Sequence, residues 1–558
     1  MKQLNLDKLF INAHERYYVS KGIFDNTYIG QYHISSYILC LINYLNRNSN
    51  DNQYLTYLEE SLSYLNVQWS NNIGVGSADF SIESLCLAHY YAKDTRVKLK
   101  IQEFLFEHTG ILNNKINAKA TDYYYLRYFN CLYFKEKLGV DISCPTGALD
   151  VIKATQSKSG VLFDSFKGKQ GCPDLAYHNR NLQILTSCVV LLDDKALEPM
   201  VLRGFNYILS IALNCGRSAY YGRSADLIYG EASLYMAIKL MFKDQATGFW
   251  ERCIHRFEQH YLSSSCTKLV INPFQIGEDN RDGMDSYVYP MVYELYSLSR
   301  ISCSLDIIQS RPLWDIEQEQ HPEYTFLDPI SGFLKVKRKD YEVSMNLLGH
   351  QHATIRPNDN RYMPLFPYGH SNDFVPKPPF KSILKKENDP IWYKIYRNLS
   401  ERYLSFRYSK LYLGYMPYFR SDNKYYVPSN FEILDIERHS VDLKVNDAYV
   451  FPGGRYKNDN KVEEIIFKVK VIFENKITIK FNVLNSTDCY FQFSHKPTDI
   501  MTIKGKRVLV NGTPLLEFSV PLRINKGYSR RLSSISGDIS VKSLEIDTPN
   551  NEYSVTYL

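Results

Sequence analysis

Three clusters of polar residues in this chain have types and spacings suited to acid–base chemistry beside a gripped anion. The first is Tyr177, His178, Asn179 and Arg180, four consecutive hydrogen-bonding side chains where a glycine-bearing segment runs into an apolar stretch. On a helix four consecutive residues fan around the axis, so they are expected not all to be buried. A lone histidine here is commonly a satisfied structural group; beside an amide and a guanidinium it can equally act as a base. The second cluster holds two Gly-Arg-Ser triplets, beginning at Gly216 and Gly222, on either side of Tyr220 and Tyr221. Its glycines suit turns and Ser224 suits a helix N-cap. Its arginines, Arg217 and Arg223, add two-pronged recognition of a carboxylate or sulfate. Cations so placed also favour the phenolate of a neighbouring tyrosine. The third cluster is His350 and His352 on one strand face, with Arg356 just after and His370 beyond. Two histidines fall short of the three or four ligands zinc takes. They read either as polar strand residues or as a histidine reaching into a cleft.

Carboxylates offer a competing chemistry. Asp174, Asp226, Glu231, Asp282 and Asp285 fall near expected helix ends, where paired acids could hydrolyse a glycosidic bond. Asp285, followed by Ser-Tyr-Val-Tyr, is the most suggestive of these carboxylates. Asp226 and Glu231 also fit as favourable charges in a first helical turn. The common phosphate-binding, dinucleotide-binding, serine-hydrolase and zinc-protease motifs are all missing from the sequence.

The elements that must hold these residues follow from hydrophobic period. A helical period runs from near residue 28 to near residue 302, clearest at 28–46, 80–92, 121–135, 175–192, 224–242 and 284–300. Second helices fall between them, for example at 53–65, 96–108 and 197–213, so the unit is a repeated helical hairpin. The units vary in length and carry glycine-rich joints at corresponding ends, which favours a closed toroid over an open solenoid. Past Arg311-Pro-Leu-Trp the period becomes 2, in runs starting at Phe333, Tyr341, Ser440, Ile465 and Lys476, with Asn511-Gly512 as a turn signal. The expected architecture is an N-terminal (α/α) toroid over 1–312 followed by an antiparallel β-sandwich over 313–558.

Composition narrows the function classes. A length of 558 residues exceeds one hydrophobic core. The net charge of +6, spread over that length, suits an anionic substrate but gives no concentrated basic face for nucleic acid. With no run of about 18 apolar residues and no signal-peptide core at the start, the expectation is no membrane span and a cytoplasmic location, or a periplasmic or secreted one if the sequence is a trimmed mature form. The 11 cysteines are odd in number and scattered, which reads as free thiols in a reducing compartment. The 46 tyrosines hint at sugar contact, since a phenol stacks on a ring and hydrogen-bonds at its tip.

The order of elements resembles the heparinase II/III-like and alginate-lyase-like polysaccharide lyases. It resembles them in His178-Asn179, then Tyr220 or Tyr221, then His350 or His352, and in the strand pair that begins at Gly332. The dyad reads His-Asn where that family commonly has Asn-His. The resemblance implies β-elimination on a uronic-acid polysaccharide, in a toroid cleft facing the sandwich and with no cofactor. Asn179, with Arg217 or Arg223, would hold the carboxylate; His178 or a sandwich histidine would be the base. Tyr221 or Tyr220 would protonate the leaving oxygen, with Tyr177, Arg180, Asp285 and Arg356 as further substrate contacts. A glycoside hydrolase on the same fold and a non-catalytic carbohydrate-binding protein are the alternatives.

Overall fold

The computed structural model describes residues 5–24, 32–49, 51–114, 116, 121–142, 144, 147–163, 174–221, 224, 227–263, 267–271, 290–305, 307, 316–339, 342–347, 367–368, 416–421, 424–451, 466–484, 488–495, 499–534, 537–547 and 552–558. Its helical part comprises α1 (Leu6–Tyr17), α2 (Tyr32–Leu45), α3 (Asn52–Ser70), α4 (Ala78–Tyr91), α5 (Thr95–Glu107) and α6 (Asp122–Tyr133). It continues with α7 (Ala148–Ala154), α8 (Leu175–Leu192), α9 (Glu198–Ile211), α10 (Ile228–Phe242), α11 (Gly248–His260) and α12 (Pro290–Leu305). Among the described residues no helix is long and apolar enough to cross a membrane.

The even-numbered helices form a ring. Each packs on the next from α2 to α12, and α12 packs back on α2. The sequence dictates which helices go inside. In α8 every residue except Val190 is buried, as a helix enclosed on all sides requires. By contrast α11 buries a stripe, Phe249, Trp250, Cys253, Arg256 and Phe257, and leaves its other face to water. The outer helices α3, α5, α7, α9 and α11 each back the inner helix that precedes them.

One helix lies outside the expected range. The helical period was read only from near residue 28, yet α1 buries Leu6, Leu9, Phe10 and Ala13 and packs on α12 and α2. It is the outer partner of α12, which would otherwise lack one. Arg16 of α1 grips Glu294 of α12 through both nitrogens of its fork, at 2.9 and 2.6 Å.

A short hairpin of β1 (Tyr18–Ser20) and β2 (Ile23–Phe24) follows α1. The remaining strands follow the toroid and pair antiparallel. A four-stranded sheet runs in chain order through β3 (Tyr324–Leu327), β4 (Phe333–Lys337), β5 (Glu342–Asn346) and β6 (Pro367–Tyr368). The larger sheet contains β7 (Met416–Ser421), β8 (Lys424–Ile436), β9 (Ser440–Phe451), β10 (Ile466–Phe473), β11 (Ile477–Leu484) and β12 (Asp488–His495). It also contains β13 (Met501–Lys504), β14 (Arg507–Val510), β15 (Thr513–Phe518), β16 (Leu522–Ser534), β17 (Gly537–Ile546) and β18 (Glu552–Tyr557). Its strand order is β13-β14-β15-β18-β11-β10-β9-β8-β7-β12-β17-β16. The turn between β14 and β15 uses Asn511 and Gly512, both with positive φ (52° and 83°), as a two-residue hairpin demands.

The small sheet is the middle layer. Strand alternation puts Phe333 and Lys335 on one face of β4 and Leu334 and Val336 on the other, and all four are buried. Phe333 meets the toroid edge-on at the Tyr221 ring, 5.0 Å away. The buried apolar side chains of both sheets and of the toroid edge at Tyr207, Tyr220 and Tyr221 make one core.

Candidate active site

The inner helices are parallel, because their first turns touch one another through aromatic rings. Tyr32 of α2 stacks on Phe80 of α4 at 5.1 Å, and Phe80 meets Tyr123 of α6 edge-on at 5.3 Å. On the other half of the ring, Tyr177 of α8 meets Tyr229 of α10 at 5.6 Å, and Tyr229 stacks on Tyr293 of α12 at 5.1 Å. Every inner helix therefore contributes an aromatic side chain at its N-terminal end, forming a collar at one mouth of the toroid. Tyr32, Phe80 and Tyr123 are half-buried, and the other three are buried.

Arg180 lies within this collar. Its guanidinium sits over the Phe80 ring at 4.1 Å and 5.4 Å from Tyr296 of α12, and its Nη1 donates to Asp122 Oδ2 of α6 at 3.3 Å. Tyr296 also receives Arg300 at 4.3 Å, and Arg300 is paired with Glu83 of α4. A lattice of buried arginines, carboxylates and rings thus crosses the lumen beneath the mouth. Sequence reading missed Phe80, Asp122, Tyr296, Arg300 and Glu83. The signal was present as an aromatic residue in the opening turn of every inner helix.

The first two turns of α8 concentrate buried polar atoms that have no hydrogen-bond partner among the described residues. They are Asn179 Oδ1, Arg180 Nε and Nη2, both amide atoms of Asn181, and Gln183 Oε1. Each such atom costs about 1–3 kcal/mol if nothing satisfies it. Five donors make an arginine hard to satisfy, and Nε with Nη2 is the edge that grips a carboxylate side-on.

The other members of the first two clusters are placed differently from expectation. His178 is fully buried with both ring nitrogens engaged: Nδ1 accepts from the Leu162 N–H at 3.0 Å, and Nε2 donates to the Gly204 carbonyl at 3.2 Å. Burial, against that backbone bond, lowers its pKa to about 4. It joins α8 to α9 as a neutral structural group, and the expectation of a histidine base at this position is corrected. Asn179 donates to Ser218 Oγ at 2.9 Å, on the loop that leads to α10.

Tyr220 and Tyr221 lie under the small sheet. The Tyr220 hydroxyl donates to the Ile211 carbonyl at 2.9 Å and also meets Ser344 Oγ of β5. Burial raises its pKa, so it stays protonated as a tie between toroid and sheet. This corrects the reading of Tyr220 as a proton donor to substrate. The Tyr221 side chain is fully buried against Phe333, and its carbonyl accepts the Leu175 N–H at 3.0 Å at the start of α8. Arg217 is also fully buried. The expected carboxylates Asp174 and Glu231 serve the backbone. Asp174 accepts from the N–H groups of Ala176 and Ser224, both at 3.1 Å, and Glu231 from that of Ala219 at 3.1 Å. Neither is placed to cleave a glycosidic bond. Arg223, Asp226, Asp282, Asp285, His350, His352, Arg356 and His370 lie outside the described residues.

The fold is similar to that of solved enzymes. A mutant heparan sulfate lyase, HepC, from Pedobacter heparinus superposes on 94% of this chain and 76% of its own, at 10% identity and a TM-score of 0.51. A heparinase III superposes on 99% of this chain and 83% of its own, at 9% identity and a TM-score of 0.50. No family model matches the sequence, and no curated protein matches it. At such identities the likeness establishes the fold: a helical toroid followed by an antiparallel β-domain, as in those lyases.

Proposed function

We propose that the protein is a polysaccharide lyase that cleaves a uronic-acid-containing glycan by β-elimination at the collar end of the toroid. The observation that carries this reading is the unsatisfied Nε and Nη2 donor edge of Arg180 beside Phe80. A uronate carboxylate would complete that arginine's hydrogen bonding and have its charge offset by the guanidinium. Six parallel helices also direct their positive ends to the same mouth, which favours an anion. The collar supplies rings for the sugar faces. The fold shared with a heparan sulfate lyase and a heparinase III is consistent with the same chemistry.

In the reaction the carboxylate is held by the Nε and Nη2 donors of Arg180, which lets the adjacent C5–H ionise, while the Asn179 Oδ1 atom can only accept, from a sugar hydroxyl. A base, His350 or His352 on the run that follows β5, takes the proton. The C5–H electron pair becomes the C4–C5 double bond, and the C4–O bond breaks toward the departing oxygen. That oxygen takes its proton from water at the collar mouth; the expected donors Tyr220 and Tyr221 are both unsuited, since the Tyr220 hydroxyl is held by Ile211 and Ser344 and Tyr221 is fully buried against Phe333. Hydrolysis is the second reading; it needs two available carboxylates, and of the candidates Asp174 and Glu231 are engaged with the backbone while Asp226, Asp282 and Asp285 lie outside the described residues.

The test is the ultraviolet absorbance of the new double bond during incubation with a panel of acidic polysaccharides. One member of the panel is expected to give a rise. Arg180→Lys keeps a charge beside Asp122 but lacks the two-pronged edge, and should lower kcat/KM about 30–100-fold. A flat trace on every glycan, or full activity in Arg180→Lys, would sink the reading.

A further inference from the structure

The large sheet carries a concavity far from the collar in sequence. A groove of about 840 Å³ crosses β8, β9, β10, β11 and β18, with Lys444, Lys468, Lys470, Lys480 and Asn482 among its lining residues. Register places these lysines side by side: Lys444 is directly opposite Lys468, and Lys470 directly opposite Lys480. Like charges facing each other across a ladder are destabilising unless something neutralises them. Lys470 is neutralised, by Glu437 at 3.1 Å and Asp442 at 3.4 Å. Lys444, Lys468 and Lys480 are exposed and make no ion pair among the described residues.

We infer that this groove is a second, non-catalytic binding site for an acidic polysaccharide, resting on the reading of the protein as acting on such a chain. The lysines on β9, β10 and β11 span two interstrand steps, about 10 Å. Asp435 and Glu552, on β8 and β18, bound the groove at its two sides. The positive field is therefore a short band, sized for a few sugar rings. Beside the lysines lie Asn482 and Ser554, residue types suited to sugar hydroxyls. Single-stranded nucleic acid fits less well, because it binds through exposed stacking rings. Here Phe481 and Tyr553 are buried at 5% and 3% exposure. Such a groove would hold a long chain while another part of it enters the toroid, raising the local concentration of cleavable bonds.

The experiment uses the full chain and its triple variant Lys444→Ser, Lys468→Ser, Lys480→Ser. Binding is measured against alginate, heparan sulfate and polygalacturonate as polymers, with turnover of their short oligosaccharides in parallel. The variant should bind the preferred polymer about tenfold more weakly and with a flatter salt dependence, and should turn over oligosaccharides at the unaltered rate. The triple Lys→Arg variant should restore binding. Equal polymer affinity in the serine variant overturns the groove and leaves the lyase reading intact. Lysine-dependent polymer binding without any double-bond formation supports the groove and removes the lyase. Lysine-dependent binding of single-stranded DNA, with none of any glycan, overturns it.

Discussion

At the scale of single residues, the histidines inside the toroid are acid-labile structural parts. His33, His89 and His178 are pushed down to about 3, 4 and 4 from 6.5, chiefly by burial. A histidine whose folded pKa lies below its unfolded value is less protonated in the native state, so the unfolded chain gains protons first as pH falls. Stability is then present above pH 6.5 and is lost as pH drops through the interval down to the folded pKa. For fully buried His178 alone the loss approaches roughly 3 kcal/mol at the acid limit. Thermal melting between neutral and mildly acidic pH should show a falling midpoint. A midpoint constant to pH 4.5 or so would contradict the neutral, backbone-bonded His178. The same residue shows why sequence misleads at a site: an imidazole near a helix start looks reactive until its two nitrogens are found bonded to Leu162 and Gly204.

At the scale of elements, contact between neighbouring inner helices depends on small residues where backbones approach. Gly230, in the first turn of α10, is such a point: a Cβ there would lie 2.6 Å from the Ala176 Cβ of α8. Gly230→Ala should force these two helices apart beside the Tyr177–Tyr229 contact and cost about 1–3 kcal/mol. Chemical denaturation would measure it, and an unchanged midpoint would mean the approach is not tight. Most elements were legible from the chain. The helix expected at 175–192 is α8 itself, and the strands beginning at Phe333 and Ser440 are β4 and β9. Period gives such elements because burial on one side repeats at fixed intervals. It failed for α1, whose charged face, with Asp7, Lys8, Glu15 and Arg16, masks its four buried residues. It could not reveal the collar either. The rings and the Arg180 lattice come together only through ring closure, which joins residues far apart in the chain. The long run between β5 and β7, where His350 and His352 fall, lies largely outside the described residues, so the third cluster keeps its standing as a sequence expectation.

At the scale of the whole molecule, toroid and sheets are welded. Lys335 of β4 is buried and donates to the Ala212 carbonyl, just past α9, at 3.0 Å and to Glu342 at 2.5 Å. Glu342 in turn accepts the Asn214 N–H at 2.9 and 3.0 Å. With Phe333 set between Tyr220 and Tyr221 in the same layer, the two parts share a core. They should unfold in one transition. Phe333→Ala should cost about 3–5 kcal/mol and separate that transition into two. Calorimetry that already resolves two transitions in the native protein would refute the shared core.

The seam of the ring has a consequence for how the protein is made. Its outer wall at α12 is the chain's first helix, and the Arg16–Glu294 pair closes a loop of 278 residues. On the ribosome α1 emerges long before its partner. At synthesis rates of ~5–20 residues per second, that gap lasts roughly 14–55 s. Throughout that interval Leu6, Leu9, Phe10 and Ala13 lack the α12 surface that later helps to cover them. The toroid therefore cannot form as a growing spiral that is finished turn by turn. It stays an open arc until α12 is released, and α12 then closes the ring against a first helix that α2 already holds on its other side.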